Sequence, residues 1–151
     1  MTAADLPMIK RWLETPHVSE WWHDAAEQFE LVSGDLGHPD MAQFIVAADT
    51  RPFAYLQCYN LSLECRVRPA AGRHARPRPV IGEPDMLGCG HGSAVIRAFA
   101  ERLLANGTPR IVIDPDPANT RAIRAYEKAG FERDRIIETP NGPALLMVRN
   151  A

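Results

Sequence analysis

The chain has 151 residues, of which 46% are hydrophobic and 24% charged, and its formal net charge is −2. This length and composition fit a single folded domain, and the negative charge disfavours nucleic acid as a partner. Because no apolar run reaches the length of a membrane span and the first residues lack a basic and apolar leader, we expect neither membrane insertion nor export. Three cysteines without metal-ligand spacing favour a reducing cytoplasm over a disulfide framework.

Charge is distributed unevenly along the chain. Residues 12–50 contain eight Asp and Glu residues and no Lys or Arg. Residues 61–80 instead carry five arginines against Glu64 alone, a balance of +4, which leaves −6 for the rest of the chain. An acidic region raises the local concentration of cations, so residues 12–50 form either a surface for a cationic ligand or a merely solvated face.

The N-terminal part predicts two helices. Apolar residues recur at helical spacing over 5–14, and Pro16 would end that helix. A second helix is predicted with Ser19 as its N-cap. Since the adjacent Trp21 and Trp22 cannot both face one core on a helix, we expect one to be buried and the other to line a cleft; both being packing residues is the alternative.

A hairpin and an atypical segment follow. The apolar, β-rich runs 43–48 and 52–59 predict an antiparallel hairpin. Residues 61–80 show neither a strand period nor a helix period. Because Pro77 and Pro79 lack an N–H, we expect no regular central strand there. The arginine and proline content of this segment also leads to the hypothesis that its coding DNA was read out of frame.

Three alternating glycines, Gly88, Gly90 and Gly92, precede a helical pattern within residues 86–105. A helix start exposes N–H groups that have no intrahelical partner, and its dipole is positive, so it can bind an anion. Glycines let a phosphate approach the backbone closely. The turn lacks the Lys and Ser/Thr of a nucleotide P-loop, which favours a different pyrophosphate ligand. A tight turn that only caps the helix is the alternative.

The C-terminal part predicts a strand over 110–113, a helix over 119–129, and strands over 131–139 and 143–149 joined at Asn141-Gly142. The alternation of helices and strands along the whole chain predicts an α+β fold. In that fold, a mixed sheet carries helices on its faces.

Residues 110–131 contain a strand, an Asn and a helix that ends Ala-Ile-x-x-Tyr-Glu-Lys-x-Gly-Phe. This pattern resembles the second cofactor motif of the GNAT acetyltransferase superfamily, and the glycine turn resembles that family's pyrophosphate loop for acetyl-CoA. Within the superfamily the chain is most similar to the aminoglycoside 6'-N-acetyltransferases, over most of its length except residues 61–80. That likeness includes Asp114-Pro115, Arg121-Ala-Ile-Arg, Glu138-Thr-Pro-Asn-Gly-Pro-Ala and the early Trp12-Leu13, His17 and Glu20-Trp21-Trp22.

The resemblance implies a GNAT-like mixed central β-sheet with helices on both faces, in a single acetyltransferase domain over 1–151 with an atypical segment at 61–80. It implies acetyl-CoA as the co-substrate and no metal. Strands over 81–87 and 110–113 would separate to accept the pantetheine arm. The cofactor-binding residues that it implies are Met86, Leu87, Gly88, Cys89, Gly90, His91, Gly92, Ser93, Asn119, Ala122 and Tyr126.

The resemblance also assigns roles in the reaction. Tyr126 occupies the general-acid position, and a phenol with a pKa of about 10 can protonate a thiolate whose thiol pKa is about 8.5; a core aromatic is the alternative. Asn119 would bind the pantetheine amide, cap the helix, or do both. Asp114 would contact the cationic acceptor, or only start a turn. Arg78 stands where the family has an Asp, which leaves the general base open. The predicted substrate-binding residues are Trp21, Trp22, Glu83, Asp85 and Asp114.

The chain is therefore interpreted as an acetyl-CoA-dependent N-acetyltransferase for an amine of a polycationic small molecule, with an aminoglycoside as the first candidate. Two alternatives stay open: acylation of a siderophore hydroxylamine or a polyamine, and acetyl-CoA binding without catalysis. The expected partner is a small-molecule amine, with no nucleic acid and no membrane, and the protein is expected to be a monomer or a homodimer.

Overall fold

The computed structural model describes residues 1–60 and 74–151. The helices of these residues are α1 (Leu6–Leu13), α2 (Pro16–Trp22), α3 (Ala25–Gly34), α4 (His91–Ala105) and α5 (Thr120–Lys128), with short 3-10 helices at Ala3–Asp5 and Pro84–Met86. The strands are β1 (Met41–Ala48), β2 (Arg51–Asn60), β3 (His74–Ile81), β4 (Arg110–Ile113), β5 (Glu132–Thr139) and β6 (Gly142–Asn150). None of these helices combines the length and apolarity needed to cross a membrane.

The described strands form a six-stranded sheet in the order β1-β2-β3-β4-β6-β5. β3 and β4 are parallel, whereas β4 and β6, and β5 and β6, are antiparallel. A mixed sheet of this kind, accompanied by helices, confirms the predicted α+β class. The predicted hairpins are also confirmed, the first as β1 and β2 and the second as β5 and β6.

The chain divides into two compact units. The first unit consists of Met1–Cys58 and Arg78–Cys89. The second unit consists of the described part of Tyr59–Pro77 together with Gly90–Ala151. Helices α1, α2 and α3 therefore belong to the first unit, and α4 and α5 belong to the second.

The core of the first unit is built on α1, α2, α3 and β2. Its buried members are Ile9, Trp12, Leu13, Val18, Trp22, Val32 and Tyr55.

The structure splits the predicted second helix in two. Pro16, which suits a first helical position, begins α2, so Ser19 lies inside that helix and the N-cap prediction is wrong. His23, at φ 61°, ends α2, and the Asp24 carboxylate then accepts from the amide of Glu27 at 2.9 Å and starts α3.

Gly82 packs so closely against Trp12 that a larger residue does not fit. An ideal Cβ on Gly82 would stand 2.0 Å from Cδ2 of the Trp12 ring. The N–H of Gly82 also donates to the carbonyl of Phe53 at 2.8 Å, which fixes its backbone against β2. Because the Trp12 ring is buried, it cannot move aside without disturbing the core.

We expect Gly82→Ala to lower the free energy of unfolding by about 2 kcal/mol, since overpacking a well-packed core costs about 1–3 kcal/mol. Urea titration followed by circular dichroism measures the change. Gly34→Ala is the matched control, because no described heavy atom lies within 4 Å of the Cβ position of Gly34 at the end of α3. Equal losses of stability in the two variants would contradict the packing argument.

The second unit is built on β4, β5 and β6 with α4 and α5. Its buried apolar residues include Ile96, Ala100, Ile111, Ile113, Ile123, Ala129, Phe131, Ala144, Leu145 and Met147. The sequence Asn106-Gly107-Thr108-Pro109 predicts a glycine stop at the end of α4, and the structure confirms it: the amide of Gly107, at φ 85°, donates to the carbonyl of Leu104 at 3.0 Å, and that of Thr108 donates to the carbonyl of Leu103 at 3.1 Å. This pair of bonds is a Schellman motif, which satisfies carbonyls at the end of α4.

The structure contradicts the prediction that no strand forms around Pro77 and Pro79, because both lie within β3. The registered pairs of β3 with β4 end at Ala75 and Ile111. Both prolines follow the last of these pairs, so neither has to donate an N–H to β4. The part of the prediction that concerns residues 61–73 lies outside the described residues.

The predicted strand over 81–87 is also wrong. β3 ends at Ile81, and Pro84–Met86 form a 3-10 helix whose Met86 amide donates to the carbonyl of Glu83 at 3.1 Å. Pro84 at the first position of that helix fixes a helical φ, so an extended strand cannot continue through it.

Candidate active site

The glycine turn takes up backbone conformations that favour glycine. Gly90 is the N-cap residue of α4 with φ 82° and ψ −4°, and Gly88 has φ 75°. No described heavy atom lies within 4 Å of the Cβ position at either glycine. The backbone conformation, and not crowding by neighbours, therefore requires glycine at both positions.

The start of α4 lacks the side-chain cap that most helices use. Because Gly90 has no side chain, it supplies no acceptor for the first-turn amides. Ala94 donates to the Gly90 carbonyl at 3.1 Å, and the Ser93 hydroxyl donates to the same carbonyl at 2.9 Å. The amides of Gly92 and Ser93 come before the first intrahelical donor, at the positive end of the dipole of a 15-residue helix. This geometry suits an anionic ligand.

Asn119, Ala122 and Tyr126 lie along one face of α5, because they follow each other at steps of three and four residues. The side-chain oxygen of Asn119 accepts from the amide of Ala122 at 3.1 Å, so Asn119 is the N-cap of the helix. Within the described residues, no acceptor binds its side-chain nitrogen, which can donate to a ligand. Tyr126 is half-buried, and its ring lies 6.2 Å from that of Phe131.

Asp114 follows the last residue of β4 and pairs with Arg76 of β3, within the second unit. Nε of Arg76 donates to Oδ1 of Asp114 at 2.9 Å, and Nη2 donates to Oδ2. The Asp114 side chain is 16% exposed and that of Arg76 is 41% exposed. The turn after Asp114 is held by a bond from the amide of Leu145 in β6 to the carbonyl of Pro115 at 2.9 Å. The carboxylate is thus fixed in position and engaged in a two-pronged ion pair.

In the first unit, Glu83 is bound by groups of the protein itself. One carboxylate oxygen accepts from the indole N–H of Trp12 at 2.8 Å and from Arg11 at 2.7 Å. The other oxygen lies 3.7 Å from Nη2 of Arg51. These contacts orient Glu83 and balance its charge. They indicate that Glu83 links α1 to the segment after β3, in addition to its predicted role in substrate binding.

Asp85 and Arg51 form an exposed pair in the first unit. Nη1 and Nη2 of Arg51 donate to the two carboxylate oxygens at 2.8 and 2.9 Å. These hydrogen bonds and the positive charge of Arg51 lower the pKa of Asp85, and the same bonds raise the pKa of Arg51. Asp85 therefore stays ionised at neutral pH.

Trp22 is the buried member of the tryptophan pair, with 6% of its surface exposed. The Tyr55 ring meets it edge-on with centroids 6.2 Å apart, and the Arg78 guanidinium lies 4.3 Å from the Trp22 ring centroid. This second contact has the geometry of a cation–π interaction. Trp21 is partly buried and packs against the same core.

Cys89, in the glycine turn, is exposed, and its thiol contacts the carbonyl of Leu87 at 3.5 Å.

Residues 1–139 match a family model described as an acetyltransferase (GNAT) domain. The chain belongs to the GNAT acetyltransferase family. This GNAT chain is 33% identical over 166 residues to an aminoglycoside N(6')-acetyltransferase type 1 of Klebsiella pneumoniae, a match that covers 99% of the chain and 80% of that protein.

Solved structures resemble this GNAT chain over the same length. A crystal structure of the aminoglycoside acetyltransferase AAC(6')-Ib with coenzyme A and kanamycin matches with a TM-score of 0.87 and 33% identity, covering 99% of this chain and 91% of that one. AAC(6')-Ib with paromomycin and acetyl-CoA matches with a TM-score of 0.87 and 32% identity, covering 99% and 90%. The predicted GNAT fold is thereby confirmed.

Sequence reasoning did not single out Arg76 as the partner of Asp114 in this GNAT protein. The bidentate contact depends on the register of β3 against β4, and the prolines argued against any strand at that place. The sequence contains an arginine in β3 and an aspartate after β4, but it indicates that the two side chains pair only once the register of the two strands is known. Among residues 1–60 and 74–151, no three His, Cys, Asp or Glu side chains are grouped as metal ligands would be.

Proposed function

We propose that this GNAT protein is an acetyl-CoA-dependent N-acetyltransferase that acetylates an amine of a polycationic small molecule, most specifically an aminoglycoside. The observation that supports this best is the 33% identity, across 99% of the chain, to a protein named as an aminoglycoside N(6')-acetyltransferase. The expected partner is a small-molecule amine, the expected compartment is the cytoplasm, and the expected oligomeric state is a monomer or a homodimer.

The second unit has groups that fit acetyl-CoA. The uncapped first-turn amides of α4, including those of Gly92 and Ser93, would hold the pyrophosphate. The side-chain nitrogen of Asn119 would donate to a pantetheine carbonyl while its oxygen keeps the helix capped. Ala122, small and half-buried, leaves space on the same face of α5. The cofactor-binding roles of residues 86–91 and of Tyr126 belong to the same proposal.

Bound acetyl-CoA supplies a thioester carbonyl that an amine can attack. The Tyr126 phenol would donate a proton to the thiolate that leaves as the amine nitrogen bonds to the carbonyl carbon, and it would then recover a proton from solvent. A phenol pKa of about 10 lies close enough to a thiol pKa of about 8.5 for this transfer. Asp114 would hold the acceptor ammonium or accept its proton. Holding both reactants in line supplies much of the rate in such a reaction.

The remaining acceptor contacts are proposed for Trp21, Trp22, Glu83 and Asp85 of the first unit. Aminoglycosides carry several ammonium groups, and removing these from water requires carboxylates or other acceptors. Glu83 and Asp85 would supply carboxylates, and Trp21, the less buried of the two tryptophans, would offer an aromatic surface to a sugar ring.

Release of free thiol from acetyl-CoA with a panel of amines tests the proposal. The panel contains kanamycin, tobramycin, a polyamine and a siderophore hydroxylamine. Turnover that is fastest with the aminoglycosides supports the proposal. Turnover with only the hydroxylamine or the polyamine would show that this compound, and not an aminoglycoside, is the acceptor. A rise in Tm with acetyl-CoA but no turnover with any amine would show that the protein binds acetyl-CoA without catalysis.

We expect acetyl-CoA to raise the Tm of the protein and Gly90→Val to abolish that rise. A ligand present at 100 times its Kd stabilises the folded state by about 2.7 kcal/mol. A β-branched side chain at Gly90 would disfavour φ 82° and place bulk beside the first-turn amides. Thermal melting with and without acetyl-CoA measures the effect.

Gly107→Val is the matched control for this experiment. Gly107 also has a left-handed φ, 85°, with no described heavy atom within 4 Å of its Cβ position, but it lies at the opposite end of α4. Both variants should lose basal stability, and only Gly90→Val should lose the shift. A folded Gly90→Val protein with the full shift would contradict the phosphate-loop proposal.

A further inference from the structure

The Arg76–Asp114 pair is the feature of the second unit that the proposed reaction does not need. Two guanidinium nitrogens of Arg76 face the two carboxylate oxygens of Asp114. Arg–carboxylate pairs of this two-pronged kind are among the stronger hydrogen-bonded contacts in proteins. Asp114, the less exposed partner, presents its carboxylate mainly to Arg76.

A carboxylate held in this way already has a positively charged hydrogen-bond donor at both of its oxygens. An ammonium group that approaches Asp114 must either displace the guanidinium or share the carboxylate with it. Sharing brings two positive charges close together, which costs free energy. The Arg76 side chain is 41% exposed, so a guanidinium that a competing cation displaces from Asp114 can be solvated.

We propose that Arg76 is a specificity-determining residue: its guanidinium occupies the cation position of Asp114, so a cationic acceptor binds only by displacing it. This inference rests on the proposed function, in which Asp114 receives the acceptor ammonium. The pair therefore weakens the binding of polycationic amines and leaves uncharged amines unaffected.

Titration calorimetry of tobramycin into the protein saturated with coenzyme A tests the inference without requiring turnover. Arg76→Gln should lower the Kd for tobramycin at least tenfold, and Arg76→Lys, which keeps the charge but loses the two-pronged contact, should lower it less. The KM for tobramycin should fall in parallel, while the KM for an uncharged arylamine stays the same. Circular dichroism and the Tm shift with acetyl-CoA confirm that each variant is folded.

Two control variants test whether a gain in affinity comes from the release of Asp114 or only from the more negative charge of the protein. Arg133→Gln removes a positive charge from the same unit at an exposed pair with Glu127, where the two side chains are 2.7 Å apart, and should leave the Kd unchanged. In an Asp114→Asn background, Arg76→Gln should bring no gain. A gain of the same size in either protein would overturn the inference.

The remaining outcomes distinguish this inference from the proposed function. If the parent and Arg76→Gln bind and acetylate tobramycin equally well, the inference is wrong and the proposed function stands. If neither protein binds any polycationic amine although both bind acetyl-CoA, the acceptor assignment fails, and the inference fails with it.

Discussion

Tyr126→Phe is expected to lower kcat by about 100-fold or more while the rise in Tm with acetyl-CoA stays the same. The variant loses only the phenolic oxygen, so the ring keeps its packing against Phe131 at 6.2 Å. Loss of a positioned proton donor typically costs about 10²–10⁴-fold in rate. Because the proposed donor acts when the thiolate departs, kcat and kcat/KM should fall together. Steady-state kinetics with the best acceptor of the amine panel measures both.

Tyr59→Phe is the control for Tyr126→Phe. Tyr59 also belongs to the second unit, lies on β2 and is 37% exposed. Its replacement should leave kcat unchanged. If Tyr126→Phe keeps the parental kcat as well, Tyr126 is a packing residue and the general acid lies elsewhere.

Asp114→Asn is expected to lower kcat/KM for tobramycin by about 100-fold, which corresponds to about 2.7 kcal/mol of lost transition-state stabilisation. Asn is nearly the same size as Asp but carries no charge to hold an ammonium and is a poor proton acceptor. The acetyl-CoA shift in Tm should remain, because it depends on α4 and α5. Added salt should raise the KM of the parent more than that of the variant, since salt screens the attraction between charges.

Asp134→Asn is the matched control. Asp134 belongs to the same unit and also pairs with arginines, at 3.4 Å from Arg110 and 2.9 Å from Arg135. Its neutralisation should leave kcat/KM within about a factor of two of the parent, as expected for an exposed ion pair. Parental kcat/KM in Asp114→Asn would remove Asp114 from the acceptor assignment.

The parts of the fold that depend on local interactions could be predicted from the sequence. Gly107 ends α4, and Asn119 begins α5, because each acts within one helical turn of its own position. The β5–β6 hairpin likewise follows from the turn at Asn141-Gly142, where Gly142 has φ 105°. Such features need no knowledge of distant residues.

The errors arose where distant residues decide the local structure. Pro77 and Pro79 argued against a strand, yet both lie in β3, beyond its last registered pair with β4. His23 takes a left-handed φ of 61°, which its residue type does not predict, and so splits the second helix. Arg76 became a partner of Asp114 only through the register of two strands far apart in the sequence.

The N-cap of α5 has a consequence for the chemistry of one side chain. The Asn119 oxygen is committed to the Ala122 amide, and this bond sets which end of the carboxamide points outward. Residue 119 therefore offers the outside only N–H donors, and a ligand group that docks there has to be an acceptor. An Asp at the same position would begin the helix equally well and yet turn the outward group from a donor into an acceptor. Helix formation alone therefore does not distinguish Asn from Asp at this position. A requirement for Asn would instead come from a ligand that needs a hydrogen-bond donor there.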